Sequence, residues 1–389
     1  MTLGIETRPD DQGATPPRPA APARPRLAYI DNLRIFLTAL VVVHHVAVTY
    51  GNIPAWYYIE TAKDPSGTIL DVLVIFNQTF FMGFFFMISG FFVPGSVDHK
   101  GGKGFMRGRL LRLGVPLLLF ALLLRPVLTL PMYLADYRDD LPYWLFYFVS
   151  WDPGPMWFVE VLLVFSLGYL LVRRWTGKPE LPRLPEPVPA RGDGRLPGPL
   201  AIVGFTVALT LVTFAWRLLV SPEAYWPIVG LPTPAYLPQY LGLFVVGVVA
   251  YRRGWFAGIP RSALWWSGAA TLVLGFARLT TIGMTGDGAA VRLLQLAAES
   301  GFAVSVVLFL LSLFQRFLNR QNATAKFLSD NAFGVYFLHP LTLVVAALAL
   351  RGWEATAIAK FAVLCLIGVP LSWGAAWLLR RIPGARRIF

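Results

Sequence analysis

The chain contains a single cysteine, Cys365, so intramolecular disulfides and cysteine-ligated clusters are excluded. Charged residues make up only 14% of its 389 residues, too few for the surface of an ordinary soluble domain. Its four histidines include no H-x-x-x-H pair, and the sequence contains no glycine-rich phosphate loop. Neither a metal site nor ATP hydrolysis is therefore expected.

What the chain has instead is apolar residues, which account for 56% of the sequence. Apolar runs of about 20 residues recur to its end, and each could cross a bilayer core of about 30 Å as a helix. The sequence therefore predicts an all-α, polytopic integral membrane protein with about ten transmembrane helices in one bundle. The predicted spans are roughly 33–50, 69–94, 113–134, 155–174, 199–220, 235–251, 263–281, 293–315, 332–350 and 357–380.

Most of the 34 lysines and arginines fall on one side of this plan, in the N-terminal tail and after the even-numbered spans. By the positive-inside rule, both termini are predicted to be cytoplasmic. The same distribution explains the net charge of +13 by topology, with anionic lipid as the counter-charge, so no nucleic-acid binding is expected. The opposite loops contain only Lys63, Arg138, Arg292 and Arg351.

Composition also divides the chain into segments. Residues 1–27 are rich in Pro, Ala and Arg and are predicted to form a disordered cytoplasmic tail. Residues 28–382 form one transmembrane domain, in which the proline-rich stretch 176–198 is predicted to be a cytoplasmic linker. Residues 383–389 form a short basic cytoplasmic tail.

The first apolar segment carries an arginine and a histidine, where a membrane helix would normally have neither. Arg34 and His45 are eleven residues apart, close to three full helical turns, so they face the same way about 16 Å apart along the axis. Ionisable groups held in hydrocarbon usually face the bundle interior and indicate function. Arg34 either orients a substrate or pairs with Asp31 at the membrane edge. His44 points about 100° away and is interpreted as a packing neighbour of the site.

A second informative block follows the predicted second span. Ser89 and its neighbouring Gly90 allow close backbone approach, and a glycine-rich basic turn is expected beyond them, with Asp98 and His99 in a loop. The arginines of this block suit phosphate binding, because a guanidinium is a forked donor. They are equally consistent with a positive-inside signal that contacts lipid headgroups. These residues are Arg107, Arg109 and Arg112.

Other polar residues within the predicted spans have weaker signals. Glu160, which follows Trp157, could bind acceptor hydroxyls, and Asn77 and Gln78 could line a cavity or bridge helices. His339 precedes a proline that disrupts the helix, which favours a structural hydrogen bond at the kink over a chemical role. Internal ion pairs are expected among Arg125, Arg217, Arg278 and Glu299.

Five motifs together carry a resemblance: D-N-L-R with a histidine eleven residues after its arginine, F-F-M-I-S-G-F-F, R-G-R-L-L-R-L-G-V-P, P-M-W-F and G-V-Y-F-L-H-P. This combination resembles the membrane acyltransferase-3 family over most of residues 27–380. Within it, the ten-span plan is similar to glucan-modifying members, including succinyltransferases of periplasmic glucans. The resemblance implies transfer of an acyl group, commonly from cytoplasmic acyl-CoA, to a hydroxyl of a carbohydrate at the far membrane face.

The residues agree with this chemistry, because imidazole is suited to take a proton from an attacking hydroxyl. The resemblance therefore implies an O-acyltransferase, which we expect in the bacterial inner membrane. Acetyl- or succinyl-CoA is the expected donor, a glycan the acceptor, and no cofactor is expected to be permanently bound. The predicted catalytic residues are His45, Arg34 and Asp31. The predicted acyl-CoA site comprises Arg107, Arg109, Arg112 and Ser89. The predicted acceptor cavity comprises Glu160, Trp157, His44, Asn77, Gln78, His339 and Arg125.

Two other functional classes compete with this interpretation. Ten spans with buried Arg, Glu and His also describe a proton-coupled secondary transporter of a sugar or small anion. No inverted repeat is visible, however, which counts against it. A membrane scaffold or receptor would not need Arg34 and His45 aligned. The sequence leaves the oligomeric state open.

Overall fold

The computed structural model describes residues 27–53, 57–177, 194–226, 230–284, 286 and 288–389. The predicted N-terminal tail up to residue 26 and linker residues 178–193 lie outside these ranges. The described residues form twelve α-helices: α1 Ala28–Tyr50, α2 Gly67–Arg109, α3 Val115–Leu119, α4 Arg125–Asp136, α5 Tyr143–Val149, α6 Trp157–Trp175, α7 Pro199–Arg217, α8 Leu237–Arg253, α9 Arg261–Ile282, α10 Ala289–Phe317, α11 Ala323–Ala349 and α12 Ala357–Leu379.

The prediction of an all-α integral membrane protein is confirmed. A helix satisfies its own backbone polar groups, which lipid cannot do. Eight helical segments of the described chain are long and apolar enough to cross a membrane: Ala28–Tyr50, Gly67–Asp136, Tyr143–Trp175, Pro199–Arg217, Pro234–Arg253, Ala289–Phe317, Ala323–Ala349 and Ala357–Leu379. The number of about ten spans and the cytoplasmic termini stay predictions.

Helix α9 is outside that set of eight, although it presents apolar side chains outward. Leu272 and Phe276 are exposed by 77% and 69%, as side chains that face lipid would be. The segment Gly67–Asp136 contains both the predicted second and third spans in one helical run. The predicted apolar segments are therefore helical, but the points at which one span ends and the next begins differ from the prediction.

The expectation of a loop at Asp98 and His99 was wrong, because both residues are helical, whereas the expected glycine-rich turn is present as a kink at Gly101. Helix α2 continues to Arg109 and includes Asp98 and His99, which were expected in a loop. The helix is interrupted at Gly101, whose φ of 69° is a conformation that glycine adopts without strain. Asp98 is buried within this helix, where its carboxylate pairs with arginines of two other helices. Arg173 of α6 lies 2.5 Å from one carboxylate oxygen and Arg252 of α8 lies 2.5 Å from the other.

Two wide π-helical turns connect α2 to α4 through α3. The first covers Leu110–Gly114 and the second Phe120–Leu124, and each is followed two residues later by a proline, Pro116 and Pro126. A proline lacks the N–H that a regular helix needs, and its ring clashes with the carbonyl four residues earlier. The wider turns accommodate that defect without ending the helix.

Helix α1 lies among α2, α10, α11 and α12, and most of its side chains are buried. Helices α2 and α8 pack closely, because Gly90 and Gly247 each lie against the backbone of the other helix. A Cβ built on Gly247 would lie 2.0 Å from the carbonyl oxygen of Met87, and one on Gly90 would lie 2.2 Å from that of Phe244. Any larger residue would separate the two helices.

Candidate active site

A cavity of about 1040 Å³ enters the bundle at the end where α1, α7 and α9 finish and α10 begins. Connecting residues such as Ile53, Glu223 and Gly286 line its mouth. The charge distribution predicts that this end is extracytoplasmic. Four of the predicted site residues line the cavity: His44, His45, Gln78 and Trp157.

His45 is half-buried on α1, and its ring is oriented by its own helix. Nδ1 lies 2.9 Å from the carbonyl oxygen of Val41, one turn earlier. A carbonyl only accepts, so Nδ1 must carry the hydrogen, and the lone pair of the neutral ring is then on Nε2. The imidazole therefore offers an acceptor nitrogen at the wall of the cavity.

His339 of α11 lies next to His45, with ring centroids 4.9 Å apart. It is fully buried, and its Nδ1 lies 2.8 Å from the carbonyl oxygen of Tyr336. In a regular helix that carbonyl would accept from the residue four positions later, which here is Pro340 and has no N–H. The histidine takes the missing donor's place, as expected for a hydrogen bond at the kink. Its chemical role stays a prediction.

His44 completes a group of three imidazoles. Its ring lies 5.4 Å from that of His45 and 4.9 Å from that of Phe81, both measured between centroids. It is buried and lines the cavity, and its Nδ1 has no hydrogen-bond partner among the described residues. His44 is thus a packing neighbour of His45 that also contributes to the wall.

An aromatic and amide wall faces the histidines. Trp157 stacks on Tyr240 with ring centroids 5.5 Å apart. The Tyr240 hydroxyl accepts a 2.9 Å hydrogen bond from Nε2 of Gln78 and lies 3.0 Å from the hydroxyl of Thr233. Gln78 thus both lines the cavity and connects α2 to α8, which combines the two roles expected for it. Asn77 is buried and does not line the cavity.

Arg125 and Glu160 lie outside the cavity lining. Arg125 is fully buried at the start of α4 and donates to the carbonyl oxygens of Tyr147, at 3.0 Å, and Ser150. Its Nε also lies 3.6 Å from Asp152, so this guanidinium holds the chain before α6. Glu160 is half-buried on α6, and its Oε2 has no hydrogen-bond partner within the described chain.

The remaining predicted site residues lie toward the opposite end of the bundle. Arg34 pairs with Asp31 at 3.6 Å and its side chain is 41% exposed. Arg107 and Arg112 are exposed, and Arg109 lies over the ring of Phe105 at 5.2 Å. None of these, nor the half-buried Ser89, lines the cavity. The structure therefore places four of the predicted residues on the cavity wall and the others away from it.

Ion pairs between buried arginines and Glu299 were expected from the sequence, but their position on the cavity wall was not. Glu299 of α10 accepts from Arg217 of α7 at 2.6 Å and lies 3.1 Å from Arg278 of α9. All three line the cavity, and we call them the cavity cluster. Tyr236 joins the same wall, with the Arg217 guanidinium 4.8 Å from its ring centre. No spacing in the sequence relates three residues on three helices.

The family profile described as "Acyltransferase domain" matches residues 27–377, most of the chain. The chain belongs to the acyltransferase-3 family. The resemblance carried by the sequence motifs is thereby confirmed, and the protein is a membrane acyltransferase by family. The chain is also 24% identical to "Glucans biosynthesis protein C" of Salmonella agona (strain SL483) and of Salmonella paratyphi A (strain ATCC 9150 / SARB42). Each alignment spans 346 residues, 83% of this chain and 84% of the relative. No solved structure matches the chain.

Proposed function

We propose that this acyltransferase moves an acyl group, acetyl or succinyl, from cytoplasmic acyl-CoA to a hydroxyl of an extracytoplasmic carbohydrate, with His45 as general base. The observation that carries the proposal is the hydrogen bond from His45 Nδ1 to the Val41 carbonyl oxygen, 2.9 Å away in the wall of the cavity. It leaves Nε2 as an acceptor where a hydroxyl could approach. The carbohydrate acceptor is supported by the relatives that are named as glucan biosynthesis proteins.

In this mechanism, Nε2 of His45 takes the hydroxyl proton as the oxygen attacks the thioester carbonyl carbon. A carbon–oxygen bond forms, and the collapsing intermediate expels the coenzyme thiolate as the carbon–sulfur bond breaks. The imidazolium then protonates the thiolate, which returns His45 to its neutral form. His44 and His339 lie next to the ring, with centroids 5.4 and 4.9 Å away, and would limit the access of water, which would favour transfer over hydrolysis.

The donor would enter from the other end of the bundle. Arg107, Arg109 and Arg112 would hold the nucleotide phosphates, and the pantetheine would pass Ser89 toward the histidines. Arg34, steadied by Asp31, would orient the pantetheine, because it lies on the side of α1 that also carries His45. The acyl group would thus cross the inner membrane while the coenzyme stays in the cytoplasm.

The acceptor would bind at the cavity. Trp157 offers an aromatic face for a sugar ring, and Gln78 offers amide groups for its hydroxyls. Three further predicted residues do not line the cavity and would support the residues that do: Glu160, Asn77 and Arg125. Arg125 in particular would maintain the chain that leads into α6 and Trp157.

The test uses purified protein in vesicles of known orientation. Labelled acetyl- or succinyl-CoA is added on the side that carries the predicted cytoplasmic loops, and a glucan is enclosed in the lumen. We expect labelled glucan inside and free CoA outside. His45→Ala should reduce transfer by about 10²- to 10⁴-fold, the usual contribution of a general base. His44→Ala is the matched control, an adjacent imidazole whose loss should be milder.

Near wild-type transfer by the His45 variant would show that the base is assigned wrongly. Product confined to the donor side would contradict the transmembrane route. An unmodified solute accumulating in the lumen without release of CoA would support the transporter alternative instead.

A further inference from the structure

The cavity cluster holds more positive than negative charge. Glu299 meets Arg217 through both carboxylate oxygens, at 2.6 and 3.3 Å, and Arg278 through one, at 3.1 Å. One carboxylate thus serves two guanidiniums that always carry charge. The cluster retains one uncompensated positive charge, which is costly within the membrane unless a counter-charge reaches it.

The guanidiniums also retain donors. Nε of Arg217 and Nε of Arg278 are both buried, and neither has a hydrogen-bond partner among the described residues. The two side chains are only 13% and 11% exposed, and both line the cavity. Because each Nε is shielded from solvent, a ligand in the cavity would meet the exposed part of each side chain, where the uncompensated positive charge favours acceptor oxygens.

Other charges that face the cavity do not cancel this excess. Glu223 and Arg292 also line it, and they carry opposite charges. Glu223 is exposed, so water screens its carboxylate. Tyr236 contributes a neutral ring against Arg217, which stabilises the cation without neutralising it.

We propose that Arg217 and Arg278 form an anion subsite, which binds a carboxylate or phosphate group carried by one of the two substrates. The planar fork of a guanidinium matches both groups, and Glu299 holds the two forks in place. That the anion belongs to a substrate of acyl transfer rests on the proposed function. The charge could be on the far end of the acyl group or on the acceptor.

Anion binding is tested without catalysis. Purified full-length protein in detergent is titrated calorimetrically with sodium succinate and sodium phosphate at constant ionic strength, with glucose as a neutral probe. We expect the anions but not glucose to bind. Arg278→Gln and Arg217→Gln should each weaken binding about 10- to 100-fold, the usual loss when one charge-assisted hydrogen bond is removed. Arg278→Lys should recover part of the loss.

Arg252→Gln is the matched control. It removes one of the two arginines that pair with Asp98, outside the cavity, and should leave anion affinity unchanged. Failure of both anions to bind the wild type, or equal binding by wild type and Arg278→Gln, overturns the subsite. Thermal unfolding confirms that each variant is folded, and Arg278→Lys keeps the test valid if the glutamine variants are not.

Activity then assigns the source of the anion. Acetyl-CoA and succinyl-CoA are each paired with a neutral glucan and with a phosphate-substituted glucan. If the acyl group carries the charge, Arg278→Gln raises KM for succinyl-CoA alone; if the acceptor carries it, KM rises for the anionic glucan with either donor. Equal changes for all four pairs would mean that the arginines only shape the cavity, and would overturn the subsite. Absence of transfer by the wild type would refute the proposed function and leave the binding result standing.

Discussion

Two clusters in this protein each combine two arginines with one carboxylate, and their surroundings make them different. The rim cluster is Asp98 with Arg173 and Arg252, and the cavity cluster is Glu299 with Arg217 and Arg278. Each places two guanidiniums on one carboxylate and adds a tyrosine: the Tyr169 hydroxyl accepts from Arg252 at 3.0 Å, and the Tyr236 ring lies against Arg217. Each joins three helices.

The difference is where the excess positive charge lies. In the rim cluster, Arg252 is 39% exposed, so surrounding water solvates its charge. In the cavity cluster, both arginines are nearly buried and face the cavity. The same three charges therefore stabilise contacts between helices at one end of the bundle and offer a binding surface at the other. Composition alone cannot separate these roles.

Among the variants that test this difference, Glu299→Gln is expected to lose the most stability. The substitution leaves two nearly buried guanidiniums without their carboxylate, and losing one partner of a buried ion pair costs about 3–5 kcal/mol. Thermal unfolding in detergent should show a clear loss of stability, which added succinate or phosphate should partly reverse. A variant as stable as the wild type would mean that water already solvates the cavity cluster.

Asp98→Asn should cost less, about 1–3 kcal/mol, because the exposed Arg252 can turn to water when its partner is removed. Succinate and phosphate should not restore this variant, since the rim cluster does not line the cavity. Unfolding measured in parallel with Glu299→Gln tests both statements. If Asp98→Asn and Glu299→Gln lost equal stability, the rim cluster and the cavity cluster would not differ in how well their arginines are solvated.

The smallest expected effect concerns Arg107, Arg109 and Arg112, which form no ion pair with any described carboxylate. Replacing all three by Gln should raise KM for acyl-CoA, with kcat at saturation largely retained, because contacts remote from the thioester contribute uniform binding. Steady-state kinetics with wild type and the Arg-to-Lys triple variant, which should recover part of the loss, provide the comparison. An unchanged KM for acyl-CoA would mean that these three arginines serve only to orient the chain in the membrane.

The sequence predicted what depends on local periodicity and missed what depends on contacts between helices. The apolar runs predicted the helices, and the residue before Pro340 predicted the hydrogen bond that His339 makes at the kink. Asp98 was expected in a loop, but it lies within α2, buried in ion pairs with Arg173 of α6 and Arg252 of α8. Tertiary contacts here outweigh local preference.

The candidate site shows the same limit. His44, His45, Gln78 and Trp157 were predicted for the site and line the cavity. Arg217 and Glu299 were expected to pair, but their positions, 82 residues apart on separate helices, gave no indication that they share a wall with His45. Arg34 lies toward the other end of the bundle, and its part in catalysis stays a prediction.

The crossing of Gly90 and Gly247 has a consequence for distance across the membrane. The two backbones approach closely there, and α2 and α8 are also joined beyond the crossing by Asp98–Arg252 and before it by Gln78–Tyr240. Gln78 and Asp98 are separated along α2 by about 30 Å at 1.5 Å per residue, about the thickness of the hydrocarbon core. The contacts between α2 and α8 therefore separate the rim cluster from Gln78 in the cavity wall by about the thickness of one hydrocarbon core.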